Sequence, residues 1–206
     1  MAELNLEINP AQIREVELMF AGIQNSAVKV LTRAINKTLT GARTDMTDEA
    51  YQELNTTKTV IRSSIVVEKA SWANLTGKTS RAGKPLSLAK FTGTAQRVKG
   101  VSVKVLRSGK RSILGHAFIA TMKSGHVGVF WRKDDTFVGY ADKPKLDGLE
   151  YGRLPEKYRL PIKELFGPRV EDILAKAERW ENVESKANAR LLKNMEAEIA
   201  FELSRL

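Results

Sequence analysis

Residues 113–132, ILGHAFIATMKSGHVGVFWR, decide the fold of the middle of this chain, because they predict a β-hairpin. The first strand is expected over 113–121 and the second over 126–132. Gly125 lies in the turn between them, where a residue without a side chain can adopt the positive φ that hairpin loops need. Apolar residues fall on both faces of the two strands, so we expect both faces to be covered and the strands to be central.

Further strands are predicted before and after the hairpin. Alternation over 99–106 places Val101, Val103 and Val105 inward and Ser102 and Lys104 outward. Additional strands are predicted over 65–67, 86–92 and 136–140, whereas residues 72–85 and 142–155 have the glycine-bearing, polar composition of loops. The basic tip, residues 107–112, joins the strand at 99–106 to the hairpin. The basic residues predicted to face DNA or a partner are Lys104, Arg107, Lys110 and Arg111.

Helical periodicity dominates the first third of the chain. Pro10 opens a short amphipathic turn, and Asn25 or Ser26 can cap a much longer helix. The apolar stripe of that helix consists of Leu31, Ile35, Leu39, Ala42, Met46, Ala50 and Leu54. Three basic residues follow a neighbouring face at four-residue steps, namely Lys29, Arg33 and Lys37. Gly41 allows a kink in this helix, and a short helix is expected over 58–64.

Pro168 is expected to open a final helix that continues to Leu206, because proline suits the first turn of a helix. Its early apolar face consists of Val170, Ile173, Leu174, Ala177 and Trp180, and its later apolar positions are Val183, Ala187, Leu191, Met195, Ile199 and Leu203. The later positions recur every four residues, and four residues overshoot one 3.6-residue turn by about 40°, so this stripe winds around the helix. We expect the near half to pack on the chain's own sheet and the far half on a neighbouring subunit; the alternative is a solvated terminal helix.

These patterns predict an α+β fold with N-terminal helices, a small antiparallel β-sheet in the middle and a long C-terminal helix. The expected regions are an N-terminal helical region over 1–64, a β-rich region with basic loops over 65–167, and the C-terminal helix over 168–206. Together they form one compact domain with helical extensions. A chain of 206 residues can bury roughly 70% of its unfolded surface. No membrane span or signal peptide is expected, since no long apolar run is present and the N-terminus is acidic.

The net charge of +10 is unevenly distributed along the sequence. Residues 69–133 contain 14 Lys and Arg and no Asp or Glu, so the rest of the chain carries a charge of −4. Such a basic middle favours a negatively charged partner, either nucleic acid or an acidic protein surface. The alternative is a solvated basic face that serves solubility.

No motif in the sequence predicts catalysis or a cofactor. Gly77-Lys78-Thr79 lacks the upstream glycine that a phosphate-binding loop requires, because Trp72 occupies that position. His116 and His126 have no nearby carboxylate or thiol companions within the acid-free window, and the chain contains no cysteine. The acidic residues Asp134, Asp135, Asp142, Asp147 and Glu150 are better explained by turns than by a metal-dependent nuclease. We therefore expect no enzyme activity, cofactor or metal.

Several short segments resemble one family. These segments are 160–168 (LPIKELFGP), 118–120 (FIA), 125–126 (GH), 128–132 (GVFWR), 34–37 (AINK), 42–44 (ART) and 60–62 (VIR). In these residues the chain resembles the minor tail protein Z family of tailed bacteriophages and prophages, over roughly residues 26–180. It departs from that pattern at Arg169, where serine is expected after Pro168, and in the long loop at 76–85.

This resemblance implies a non-catalytic structural virion protein that completes the tail at its head-proximal end, near the head–tail junction. It further implies a homo-oligomeric ring, with a hexamer favoured, that contacts the tail tube, the tail terminator and the tape measure protein. The virion tail, assembled in the bacterial cytoplasm, would be its location, and DNA in the lumen a non-specific contact. The candidate subunit-interface residues are Leu160, Ile162, Phe166, Leu191, Met195 and Ile199.

Two other functions remain open from the residues themselves. The first is a nucleic-acid-binding module that uses the basic β-rich region, with Phe91 or Trp131 as the stacking aromatic residue. The aromatic residues of that region fall mainly at predicted core positions, which disfavours this function. The second is a metal-dependent nuclease, which a cleavage assay with Mg²⁺ or Mn²⁺ would detect.

Overall fold

The structure is a computed structural model that describes residues 4–23, 25–81, 83–132 and 162–205. Several sequence predictions fall outside the described residues, namely the strand at 136–140, the loop at 142–155 with its acidic residues, and the candidate interface residue Leu160. The chain divides into two compact units. We call Met1–Pro85 with Pro168–Leu206 the helical unit, and Leu86–Gly167 the strand unit.

The helical unit contains a three-stranded antiparallel sheet and five helices within its described residues. Its elements are β1 (Leu4–Leu6), α1 (Pro10–Met19), α2 (Ser26–Glu53), α3 (Lys58–Ser63), β2 (Ile65–Glu68), β3 (Gly77–Arg81), α4 (Val170–Leu174) and α5 (Ala177–Leu203). Strand β3 is central, with β1 on one side and β2 on the other. Helix α2 forms the core of this unit because it packs against α5, α3, α1 and the sheet.

Sequence periodicity predicted α2 correctly. All seven residues of the predicted apolar stripe, from Leu31 to Leu54, are completely or almost completely buried. The helix starts directly after Asn25, whose φ is +64°, and it runs without a break through Gly41, so no helix end marks the expected kink. The predicted helix at 58–64 is also confirmed as α3, and the Thr57 side chain caps it by accepting a hydrogen bond from the backbone N–H of Val60.

Strand β3 corrects the predicted loop at 72–85. The segment looked like a loop because Gly77, Lys78, Thr79 and Ser80 are polar or small, yet it forms the middle strand of the sheet, with Thr79 fully buried. Gly77 lies against α2 so closely that a Cβ atom there would be 2.5 Å from Leu39 Cδ1. Close packing on α2, which local composition does not record, therefore explains the strand.

The C-terminal helix is broken, whereas one continuous helix was predicted. Helix α4 ends at Leu174, and Lys176 has extended backbone dihedrals before α5 begins at Ala177. Helix α5 packs along α2 of the same chain, so the expectation that its near half packs on a sheet is wrong. Its far half also contacts α2, through Glu198 and Glu202.

The described residues of the strand unit form two three-stranded antiparallel sheets. Its elements are a 3₁₀ turn (Leu88–Lys90), β4 (Ala95–Arg97), β5 (Gly100–Val103), β6 (Ser112–Gly115), β7 (Phe118–Thr121), β8 (Val127–Arg132) and β9 (Ile162–Glu164). One sheet has the order β4-β5-β6 and the other β7-β8-β9. The described residues thus confirm the predicted α+β class with N-terminal helices, small antiparallel sheets and a long C-terminal helix.

The hairpin predicted over 113–132 is confirmed only in its second half. Strands β7 and β8 pair as predicted around a turn in which Gly125 has a φ of +82°. The expected strand over 113–121 is interrupted at His116, whose φ of +62° sends β6 and β7 into different sheets. The prediction that both faces of the hairpin are covered is also only partly correct, because Val129 and Phe130 are buried while Trp131 is 42% exposed.

Other local predictions in the strand unit are wrong. The predicted strand at 86–92 is replaced by a 3₁₀ turn over Leu88–Lys90, β4 was not predicted, and β5 ends at Val103. Ser102 was expected to point outward, yet it is only 3% exposed. The Arg111 guanidinium lies across it, and Nη1 is 3.4 Å from the Ser102 hydroxyl oxygen. An arginine from a neighbouring segment therefore buries a polar position on this strand.

The two units group the chain differently from the predicted regions. Residues 65–85, grouped by sequence with the β-rich region, belong to the helical unit because β2 and β3 pack on α2. The helical unit is thus discontinuous in sequence, with the strand unit inserted between β3 and α4.

Candidate functional site

The positive charge of the protein is concentrated in the strand unit. Residues 86–167 contain 16 Lys and Arg against 7 Asp and Glu, a balance of +9. The helical unit contains 18 against 17 and carries only +1. The two units therefore use their charged side chains differently.

In the helical unit, acidic and basic side chains pair across the interface between α2 and α5. Near the start of α2, Lys29 Nζ lies 2.6 Å from Glu202 Oε1, and Arg33 Nη1 lies 3.3 Å from Glu202 Oε2. Lys37 donates to Glu198, which Arg33 also approaches at 3.9 Å. Both glutamates are almost completely buried, so the row of basic residues seen in the sequence has its partners on α5.

The other end of the same interface has the opposite charge arrangement. Asp45, Glu49 and Glu53 on α2 face basic residues from α5 and the residue that precedes it. Arg190 donates to Asp45 from both terminal guanidinium nitrogens, and its Nη2 lies 3.2 Å from Oδ1. The remaining pairs are Arg179 and Lys186 with Glu49 at 3.4 and 3.3 Å, and Lys176 and Arg179 with Glu53 at 2.7 and 3.4 Å.

Among the side chains that pair across this interface, each helix therefore carries basic residues near its start and acidic residues near its end, and the antiparallel arrangement brings opposite charges together. A parallel arrangement would place like charges against each other. Within α2 the basic start and acidic end also oppose the helix macrodipole, which favours the reverse arrangement. The charges are thus arranged for the helix pair, and they specify its orientation more than they add to its stability.

Two ionisable groups in this interface have shifted pKa values. The hydrogen bond from Lys29 lowers the pKa of Glu202, with further lowering by the charges of Lys29, Arg33 and Arg205, while burial opposes the shift. The hydrogen bond with Asp45 raises the pKa of Arg190. Glu202 is therefore held ionised in the folded chain.

Sequence patterns alone did not identify Glu198 and Glu202 as partners of the basic row. Their four-residue spacing matches the spacing of Lys29, Arg33 and Lys37, and this match is the signal that could have found them. The sequence separation, 173 residues between Lys29 and Glu202, removes any local indication of the contact.

An open groove of about 790 Å³ borders this interface in the helical unit. Arg33 and Lys37 line it and both pair with Glu198, and Lys69 adds a further positive charge. Asn36 also lines it. The Asn36 side-chain N–H donates to the carbonyl oxygen of Ala70 at 3.1 Å, and its Oδ1 accepts from the backbone N–H of Ala70 at 2.9 Å. The polar groups of the groove thus largely serve internal packing.

The four predicted basic residues of the strand unit lie in the connection between β5 and β6 and differ in environment. Lys110 and Arg111 are exposed, whereas Lys104 and Arg107 are half-buried. Arg111 Nη1 donates to the carbonyl oxygen of Gly93 at 2.5 Å, which fixes its guanidinium. The structure therefore places two of the four at the surface, one of them held in a defined orientation.

The predicted interface residues are scattered over both units. Leu191 and Met195 are buried within the helical unit, and Ile199 is half-buried. Ile162 is half-buried at the start of β9, whereas Phe166 is 49% exposed. Among the described candidates only Phe166 is largely accessible, and their assignment to a subunit interface stays a prediction.

The residues considered for chemistry in the sequence do not converge in the described structure. His126 Nε2 lies 2.9 Å from Glu164 Oε1 on an exposed part of the strand unit. Gly77-Lys78-Thr79 belongs to β3, so this segment is not a phosphate loop. Among the described residues, no three His, Cys, Asp or Glu side chains are grouped as metal ligands.

The two aromatic residues considered for stacking have opposite environments. Phe91 is buried, and a Cβ atom on Gly167 would lie 2.8 Å from its ring, so its faces are covered. Trp131 is partly exposed, and its indole N–H donates to the carbonyl oxygen of Gly115 at 3.1 Å. Only Trp131 therefore offers an accessible ring at a fixed position.

Over the part of the chain that the structure describes, no helix has the length and apolar character to span a membrane. Comparison of the chain with protein-family models, with curated proteins and with solved structures gives no match.

Proposed function

We propose that this protein is a structural virion component of a tailed phage or prophage, a minor tail protein that completes the tail at its head-proximal end. It is non-catalytic and assembles as a ring, with a hexamer favoured. The family resemblance of segments such as 160–168 and 128–132 motivates this proposal.

The observation that carries the proposal furthest is the unequal use of charge by the two units. The helical unit pairs its charges internally along α2 and α5, which suits a rigid building block. The strand unit keeps an excess of nine positive charges, and residues 86–132 contain no carboxylate. A ring component at the end of a tail meets two kinds of negative surface, the acidic faces of neighbouring proteins and DNA in the lumen.

The partners that follow are the tail tube, the tail terminator, the tape measure protein and further copies of this chain. A ring requires heterologous contacts that close on themselves. Phe166 is the described interface candidate that such a contact can use, because about half of its surface is accessible.

Light scattering of the purified protein, over a range of protein and salt concentrations, tests ring formation. We expect a closed oligomer whose mass is reduced by Phe166→Asp, while far-UV circular dichroism stays unchanged. Phe201→Asp is the matched control, because Phe201 is 50% exposed and lies on α5 of the helical unit. A wild-type protein that remains a monomer at all concentrations, even with purified tail tube protein, would contradict the proposal.

A nucleic-acid-binding module is the second candidate function, and the charge of the strand unit together with the accessible Trp131 favours it. The burial of Phe91 weighs against an extended stacking surface. A monomer that binds DNA with steep salt dependence would support this function over the ring component.

A further inference from the structure

One face of the sheet β4-β5-β6 carries the features of a binding surface. Paired residues in antiparallel strands share a face, so the register places Arg97, Gly100 and Gly115 together, and Ser102 with Ile113. We call these five residues, with the adjoining Arg111, the open face. The opposite face carries Val101 and Val103, which are buried.

The open face is accessible along its β6 edge. A Cβ atom at Gly115 would have no other atom within 4 Å, and Ile113 is 58% exposed. The side chains on β5 are small, with glycine at position 100 and serine at position 102. Both of these β5 positions are buried, Ser102 beneath the Arg111 guanidinium, so an extended polymer can approach this sheet along its exposed β6 edge, at Ile113 and Gly115.

The charged side chains at the margins of this face are basic, and one of them is held in place. Arg97 is exposed and has no ion-pair or hydrogen-bond partner for its side chain among the described residues. Arg111 is held by the Gly93 carbonyl and by Ser102, which leaves further N–H groups for a ligand. Lys99 and Lys110, both exposed, follow Arg97 and precede Arg111 in sequence.

An aromatic ring stands at one edge of the open face. The indole N–H of Trp131 donates to the carbonyl oxygen of Gly115, so the ring is anchored beside β6 while 42% of the residue stays exposed. A fixed, accessible ring beside cationic groups is an arrangement that stacks unpaired bases.

We propose that the open face binds the sugar–phosphate backbone of a nucleic acid, with Arg97 and Arg111 as phosphate ligands and Trp131 at the edge. An acidic protein is disfavoured, because the centre of a protein interface requires several large apolar residues and this face contributes only Ile113. The inference deepens the proposed function, on which it rests for the presence of DNA beside the protein.

Fluorescence anisotropy with labelled duplex and single-stranded DNA, using the full chain at about 50 to 200 mM salt, tests this inference. Each lost phosphate contact removes a salt slope of about 0.9, so Arg97→Ala should weaken binding about eightfold at about 0.1 M salt. Lys193→Ala is the control, because Lys193 is an exposed cation on α5 of the helical unit, and it should leave the affinity unchanged.

A second pair of variants separates charge from shape at Gly115. Gly115→Glu places a carboxylate on the open face without a clash and should weaken binding at least tenfold more than Gly115→Gln, which has the same size and no charge. Equal affinities of these two variants, or no DNA binding at about 50 mM salt, would overturn the inference. Displacement of DNA by poly-glutamate at equal charge concentration would also overturn it, in favour of an acidic protein.

Light scattering of the same samples keeps this test distinct from that of the proposed function. A ring that does not bind DNA contradicts the inference alone. A monomer that binds DNA through the open face supports the inference and contradicts the ring.

Discussion

The effect of Gly41→Ala on the free energy of unfolding should change sign with the residue at position 190. Gly41 lies in the middle of α2, under the Arg190 side chain of α5. A Cβ atom at position 41 would be 2.6 Å from Arg190 Cδ and 2.7 Å from its Nε. Since the guanidinium is held by Asp45 through two hydrogen bonds, Arg190 cannot move aside without weakening that pair.

Two opposing free energies determine the result. Alanine in a helix interior is favoured over glycine by about 1 kcal/mol. Displacing Arg190 loses charge-assisted hydrogen bonds of about 1.5–3 kcal/mol, and we take about 2 because the Arg190 side chain remains one-third exposed. Gly41→Ala should therefore destabilise the wild-type chain by about 1 kcal/mol, and it should stabilise the Arg190→Ala variant by about 1 kcal/mol.

The coupling free energy between the two positions is measured by urea unfolding of the wild type, Gly41→Ala, Arg190→Ala and the double variant. Circular dichroism at the helix band follows the unfolding. We expect about 2 kcal/mol, well above the few tenths seen for independent sites. If Gly41→Ala stabilises both backgrounds equally, the close contact between position 41 and Arg190 does not limit packing in solution, and this explanation for the glycine is wrong.

Three further results follow from the helical unit. Gly77→Ala should destabilise it by about 1–3 kcal/mol in urea unfolding, because the new Cβ would lie 2.5 Å from Leu39 Cδ1; a change near zero would show that β3 moves freely on α2. The free energy of unfolding should fall as the pH drops below the unfolded-state pKa of about 4.3, because the pKa of Glu202 is lower in the folded chain. In Glu202→Gln this part of the loss should disappear. Parallel curves of unfolding free energy against pH for the two proteins would refute the role of Lys29. Truncation after Asn182 should abolish cooperative thermal unfolding, because it removes most of α5 from α2, whereas an intact transition with altered oligomer mass would restore the idea of a subunit contact.

Elements that are determined by residues close to one another in the chain were predicted correctly. The stripe from Leu31 to Leu54 defines α2 because burial against several neighbours repeats at the helical period. The hairpin around Gly125 was predictable because its turn requires a residue that tolerates a positive φ. The break at His116 was not, since a positive φ is uncommon for any residue with a side chain and no local pattern marks this position; the pairing of β6 with β5 accompanies it.

Contacts between distant segments account for the remaining errors. Strand β3 forms because Gly77 fits against α2, and the polar sequence around it gives no alternation to recognise. The basic row on α2 was visible, but its partners are 161 residues or more away. The open face was equally hidden, because it is created by the register of three short strands and only Arg111 had been singled out on it.

The insertion of the strand unit into the helical unit has a consequence for synthesis on the ribosome. Lys29 emerges 173 residues before Glu202, which at about 5–20 residues per second is a delay of about 9 to 35 seconds. During this interval α2 has no α5 to cover it. The apolar stripe of α2 is then exposed on nascent chains, so chaperones or other nascent chains can bind it. The strand unit, whose described strands lie close in sequence, can fold first.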